Sequence, residues 1–241
     1  MLQRSISSII GENFVYARAM DSLGIDFSQH KDDKLADVVN LLGIEQRTVV
    51  RSFYLVESRY RPTFAELESY PLQYLVRYLR FSHTSYIKEY LPFIHKLLQK
   101  IDPASDGIGD LKAVFPLFVE DFINHIYEEE DELFHYIVLM DKVKRSGRKE
   151  DMEQLIPHLG ISLHEILEEH EGEDEMKNLR ELIETIIPTS LEVEVILAEI
   201  KSLDRELHYH AEIENHILLP KAIQLESKIW NEIPLLSSGK G

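Results

Sequence analysis

From Leu72 onward the chain follows the 3.6-residue period of the amphipathic helix, and this constrains its fold more than any other feature. Four long runs carry the period, at about 72–100, 111–143, 151–187 and 189–228, separated by "DPASDGIG", "KRSGRKED" and "IIPTS". Four long helices with short connections predict an all-α, up-down-up-down four-helix bundle. The third run holds Pro157 and Gly160, so it reads as two helices or as one beginning near Ile161. No strand alternation of useful length, internal repeat or low-complexity tract competes with this reading. Upstream, residues 1 to about 60 show shorter helical patterns broken at Gly24 and Gly43, and "SRYRPTFAELESYP" reads as a connector. The expected organisation is a small helical N-terminal domain over 1–67, a bundle over 68–230 and a tail over 231–241.

The phase of each run decides which polar side chains point inward. In the second run Phe115, Phe118, Phe122, His125, Glu129, Leu133, Tyr136 and Met140 recur at spacings of three and four, which puts His125 and Glu129 on the buried stripe. In the fourth, His210 and Glu214 share a stripe with Leu203, Leu207 and Ile217. The first run offers His83 among Leu72, Leu79, Tyr86, Tyr90 and Ile94, and the third offers His170 on the face of Leu163 and Leu167. Each helix of the bundle therefore aims a histidine at one axis.

Composition says what such a cluster can be. The chain has no cysteine, which excludes disulfides, thiolate nucleophiles, zinc fingers and cysteine-ligated clusters. Any metal must rest on His, Asp and Glu. Imidazole and carboxylate suit iron, manganese or zinc, and one carboxylate can bridge two ions while imidazoles bind terminally. Without a cation, two buried carboxylates would cost several kcal/mol, comparable to the net stability of a domain, and no Lys or Arg lies on the inner stripes near them. The formal charge of -17 opposes binding to nucleic acid and to anionic membranes. The N-terminus lacks a leader-like apolar core and no apolar run is long enough to span a bilayer, so the expected location is the cytoplasm.

Spacing alone is weak, because an acidic helical chain with 11 histidines produces His-x-x-x-acid pairs by chance. His164 with Glu168, His170 with Asp174 and His208 with Glu212 are further examples. His208, Glu212 and His216 fall off the apolar stripe and read as surface groups; His164 rivals His170; His95 reads as core or rim; His30, His135 and His158 read as structural or surface residues. A ferritin-like site would need Glu-x-x-His pairs on two helices, and only Glu132 with His135 has that spacing, off the stripe.

A histidine-rich bundle site resembles the hemerythrin-like bundle. Whole segments extend the likeness: "FINHIYEEEDELF", "EEHEGEDEMKNLREL" and "LHYHAEIENHILLPKA" resemble corresponding segments of the iron-sulfur cluster repair di-iron proteins, or repair of iron centers family. "YLVRYLRFSHTSYIKEYLPFI" is similar to that family's first bundle helix, and "MDSLGIDFSQHKDDKLADVVNLLGI" to its small N-terminal domain. The resemblance runs from about residue 5 to 228 and implies a non-haem center of two iron ions. Its ligands would be His83, His125, Glu129, His170, His210 and Glu214, with Glu129 and Glu214 as bridges. It further implies a role in cluster repair or nitric oxide stress, nitric oxide and dioxygen as ligands, damaged iron-sulfur proteins as partners, and a homodimer. The alternative is a hemerythrin-like module that binds or senses these gases without donating iron. Manganese or zinc would suit the same ligands.

Two departures stand out. The family's adjacent cysteines are replaced by Ser28 and Gln29, and a further family histidine near the end of the first bundle helix is missing from "KIDPASD". Asp102 there is either a substitute ligand or a turn or cap residue.

Overall fold

The computed structural model describes residues 1–57, 61–102, 107–158, 162–170 and 174–237, with the side chains of Glu57, Glu169, His170 and 232–237 outside that description. Among the described residues the chain is helical throughout; a lone antiparallel bridge joins Ser5 and Lys34, and there is no strand. The helices are α1 (Ile6–Glu12), α2 (Val15–Ser22), α3 (Leu35–Leu41), α4 (Gln46–Glu57), α5 (Phe64–Glu68), α6 (Leu72–Ser85) and α7 (Leu91–Lys100). They continue with α8 (Ile108–Glu128), α9 (Phe134–Ser146), α10 (Lys149–Leu155), α11 (Leu163–His170), α12 (Lys177–Thr185), α13 (Leu191–Ile213) and α14 (Leu219–Ser237). No described helix is long and apolar enough to cross a membrane.

The all-α bundle expected from the periodicity is what forms. The first, second and fourth runs are each long and nearly uninterrupted, but each contains one widened π-helical turn: Tyr86–Tyr90, Glu129–Leu133 and Glu214–Leu218. Two of these turns precede a proline, Pro92 and Pro220. A proline has no N–H to donate and its ring crowds the carbonyl one turn back, which a wider turn relieves. The third run is more broken than expected. Pro157 ends α10 in a single 3₁₀ turn, Ile156–His158, and α11 and α12 follow as separate short helices. Ser190 restarts the long helix α13 by accepting the Val193 N–H at 3.3 Å.

The chain divides into two compact units that do not follow the order of the sequence. Unit 1 is Met1–Arg61, Lys88–Pro116 and Asn178–Asp204; unit 2 is Pro62–Ile87, Leu117–Lys177 and Arg205–Gly241. In unit 1, α2 packs on α4, with Tyr16 stacked on Phe53 at 4.6 Å. Gly24 and Gly43 both take left-handed backbone, φ 77° and 67°, where a Cβ would be strained, and so end α2 and α3 as the sequence suggested. The turn after Gly24 is anchored by Asp26, which accepts the Ser28 N–H at 3.2 Å and pairs with Lys100 Nζ at 2.6 Å. In unit 2, α6 and α14 both pack on α9, α11 packs on α14, and α6 meets the π turn Glu214–Leu218. Leu75, Leu79, Phe134, Ile137, Leu163, Ile213 and Leu218 form part of its apolar core and are fully buried. Polar side chains interrupt that core at one place.

Candidate metal centre

His83, Glu129, His210 and Glu214 meet there, and one ligand atom from each lies within 4.8 Å of all the others. Helices α6 and α13 deliver the imidazoles, while Glu129 and Glu214 are each the first residue of a π turn. The four residues are 2%, 4%, 7% and 3% exposed, so the charges have no water to solvate them. His83 Nε2 lies 3.0 Å from His210 Nε2 and 3.2 Å from Glu129 Oε2, and His210 Nε2 lies 3.1 Å from Glu214 Oε1. The other Glu129 oxygen, Oε1, faces His125 Nε2 at 3.5 Å. Glu129 thus turns one oxygen to each of two histidines, which is what a carboxylate shared between two cations must do.

The electrostatics are those of a site short of positive charge. Burial pushes the Glu214 carboxyl well above the usual range, and the neighbouring Glu129 charge pushes the same way. Burial works on Glu129 as well, but hydrogen bonds from His125 and His83 and attraction to the surrounding imidazoles overcome it and hold that carboxyl well below its usual value. His210 is lowered to about 4 by burial, with Glu129 and Glu175 pulling it back only in part. It is therefore neutral at physiological pH, the form that offers a lone pair to a metal. His210 Nδ1 and Glu214 Oε1 are buried without a hydrogen bond.

These residues fit a metal. With bonds of about 2.1 Å, neighbouring ligand atoms on one cation stand about 3.0 to 3.4 Å apart in octahedral or tetrahedral geometry, close to the 3.0 to 3.2 Å found here between His83, His210, Glu129 and Glu214. Two imidazole nitrogens facing each other at 3.0 Å need a proton or a cation between them. Two carboxylates and two or three imidazoles form a hard to borderline donor set suited to iron, manganese or zinc.

Two carboxylates that the periodicity did not single out complete the surroundings. Glu130 Oε1 lies 3.0 Å from His83 Nδ1, so His83 can donate there and leave its Nε2 to serve a bound cation; Arg80 Nε stands 3.8 Å from the other Glu130 oxygen. Glu175 Oε1 lies 3.2 Å from His125 Nε2, and both side chains are about one-quarter to one-third exposed, at 27% and 30%. With Tyr86, Phe122, Leu207 and Asn215 they line a cavity of about 60 Å³ over the cluster.

The remaining sequence candidates fall as follows. His125 sits at the edge of the quartet rather than inside it. His170 is the last residue of α11, and its side chain lies outside the described residues. His164 and His95 are exposed, as are His208 and His216, and Glu212 pairs with His216 at 3.9 Å. His30 pairs with Asp33 at 2.8 Å. His135 and His158 meet edge to face at 5.3 Å, and His135 is exposed. Asp102 is exposed, belongs to unit 1, and joins no group of converging ligand side chains among the described residues.

No protein-family model matches the chain. Over 82% of its length it is 21% identical to the iron-sulfur cluster repair protein ScdA of Staphylococcus epidermidis, with 88% of that protein covered. The ScdA of a second strain of the same species matches to the same extent. The likeness covers most of both chains, at low sequence identity.

Proposed function

We propose that this chain is a non-haem di-iron protein of the iron-sulfur cluster repair and nitric oxide stress type. The observation that carries the reading is the buried quartet His83, Glu129, His210 and Glu214, set in a chain similar over most of its length to an iron-sulfur cluster repair protein. His83, His210, Glu129 and Glu214 would hold the metal, His125 would extend the site past the far oxygen of Glu129, and His170 is the proposed contribution of α11. Bound there, iron would supply an open coordination position for a diatomic molecule and a store of metal that can be passed on.

The chain's own groups prepare that chemistry. Glu130 fixes the His83 tautomer, and burial keeps His210 neutral. Phe122, Tyr86 and Leu207 restrict water at the cavity, while the partly exposed His125 and Glu175 form its polar side. With Ser28 and Gln29 in place of the family's cysteines, metal handling rests on the bundle residues alone. The work would take place in the cytoplasm, with damaged iron-sulfur proteins as recipients.

The second reading is a hemerythrin-like module that binds dioxygen or nitric oxide and keeps its iron. The cavity favours it, since about 60 Å³ admits a diatomic molecule or a few waters and no larger substrate. One experiment separates the two: metal analysis of protein from iron-replete cells, absorption spectra before and after nitric oxide, then incubation with an apo iron-sulfur protein. Iron near two per chain that moves to the apo-protein supports repair. Reversible gas binding without iron release supports the second reading, and protein that takes up no stoichiometric metal refutes both.

A further inference from the structure

Unit 1 holds a cavity of about 520 Å³, in the range of small-molecule sites, that the proposed metal chemistry does not use. Arg18, on α2, lines it and is only 8% exposed. Its guanidinium lies over the Tyr90 ring, 3.7 Å from the centroid, and its Nε stands 3.6 Å from Glu199 Oε2, beyond hydrogen-bond distance. Nη1 is buried and has no hydrogen-bond partner. A guanidinium held against an aromatic face with one donor edge unused is a ready clamp for a carboxylate or phosphate oxygen.

The rest of the cavity suits such a ligand. Lys88 lines it, is exposed, and has no ion-pair partner among the described residues, whereas Lys96 is already paired with Asp21. The lining also holds Asp21, paired with Lys96, and Glu89, so an anion there would rest on local donors, the unused Arg18 Nη1 and Lys88, and not on a net positive pocket. Leu55, Val56, Pro92 and Phe93 supply an apolar wall, and Leu55 is 69% exposed at the mouth. We propose that unit 1 binds a small organic anion, with its carboxylate or phosphate on Arg18 and Lys88 and its apolar body against Leu55, Val56 and Phe93. This site is independent of the metal centre, whose residues all belong to unit 2.

The test is calorimetric titration of the full chain with benzoate and with phenyl phosphate, which carry the two head groups on the same apolar body. At least one should bind saturably, one per chain, more weakly as salt rises and more tightly than acetate or inorganic phosphate. Whichever of the two binds more tightly identifies the head group. Arg18→Gln should weaken binding tenfold or more and Lys88→Gln severalfold, with metal content unchanged in both. Lys88 is exposed, so its variant remains informative if Arg18→Gln folds poorly. Failure of both probes to saturate at millimolar concentration would overturn the proposal. So would binding that survives both substitutions, or binding that Glu214→Gln abolishes, since that would place the anion at the metal centre.

Discussion

Replacing Glu214 by Gln asks whether the buried carboxylate serves a metal or the fold. The substitution keeps the side chain's shape and removes its charge. In metal-free protein Glu214 is 3% exposed beside the Glu129 carboxylate, and burial first, then that charge, raises its pKa. A group whose folded pKa is raised contributes its full stability below its unfolded value, about 4.3, and loses it as pH rises through the folded value. At neutral pH the metal-free wild type therefore carries a penalty that Gln lacks. Removal of that penalty, whether it is borne as proton uptake or as a desolvated charge, is worth about 1–3 kcal/mol, which for a chain of this size is roughly 2–12 °C in unfolding midpoint.

With metal the order should invert. A cation at 100 times its dissociation constant stabilises the wild type by about 2.7 kcal/mol, and Glu214→Gln forfeits most of this with the ligand. The assay is thermal unfolding of both proteins from pH 4.5 to 8, after chelation and again with iron(II) under anaerobic conditions. The expected result is a variant more stable without metal, by a margin that grows with pH, and less stable with it. A metal-free variant less stable than wild type at pH 7, or an advantage that grows toward acid, would refute the reasoning and make the carboxylate a structural group.

Glu129→Ala and Glu214→Ala should each cut bound metal, measured by plasma emission, to one ion or none, while Glu212→Ala leaves it unchanged. Glu130→Gln should retain the fold by circular dichroism but weaken metal affinity about 10- to 100-fold, because His83 loses the carboxylate that fixes its tautomer. His170→Ala should lower metal content and the exposed His164→Ala should not; the reverse result would move the α11 ligand by nearly two turns. A chain beginning at Glu68 loses the pairings of Asp21 with Lys96 and Asp26 with Lys100, and the Arg18–Tyr90 contact. Its helix content should therefore fall further than the deleted residues explain.

How much of this was legible depended on whether a residue obeyed an apolar period. Phe118, Phe122, Leu133, Tyr136 and Met140 fix the phase of the second run tightly enough that Glu129 had to be buried, and it is. The same argument put His83, His210 and Glu214 inside and left His208 and His216 exposed. Glu130 and Glu175 follow no such period. In a chain with 43 acidic residues, a carboxylate that orients a histidine from outside the stripe looks like any solvated one. Arg18 was hidden for a related reason, since Tyr90 and Glu199, which surround it, lie far away in sequence.

The π turns were missed although the sequence carries their trace. Leu133 and Phe134 are both buried after Glu129, and Ile217, Leu218 and Leu219 are all buried after Glu214, as a slip requires, although regular helix here buries neighbours too, as at Val195, Ile196 and Leu197. An extra residue in the turn slips the stripe by one position, so two neighbours share the inner face. The slip occurs twice at the same offset, in the halves "HIYEEEDELF" and "HAEIENHILL", with the histidine four residues before the glutamate that opens the turn. A π turn sacrifices regular hydrogen bonding and persists mainly where function requires it. Of the three among the described residues, two begin at a buried carboxylate and the third begins at Tyr86. Apolar burial alone therefore does not locate the slip; what sets these two turns apart is the repeated spacing of a histidine four residues before the glutamate that opens each one.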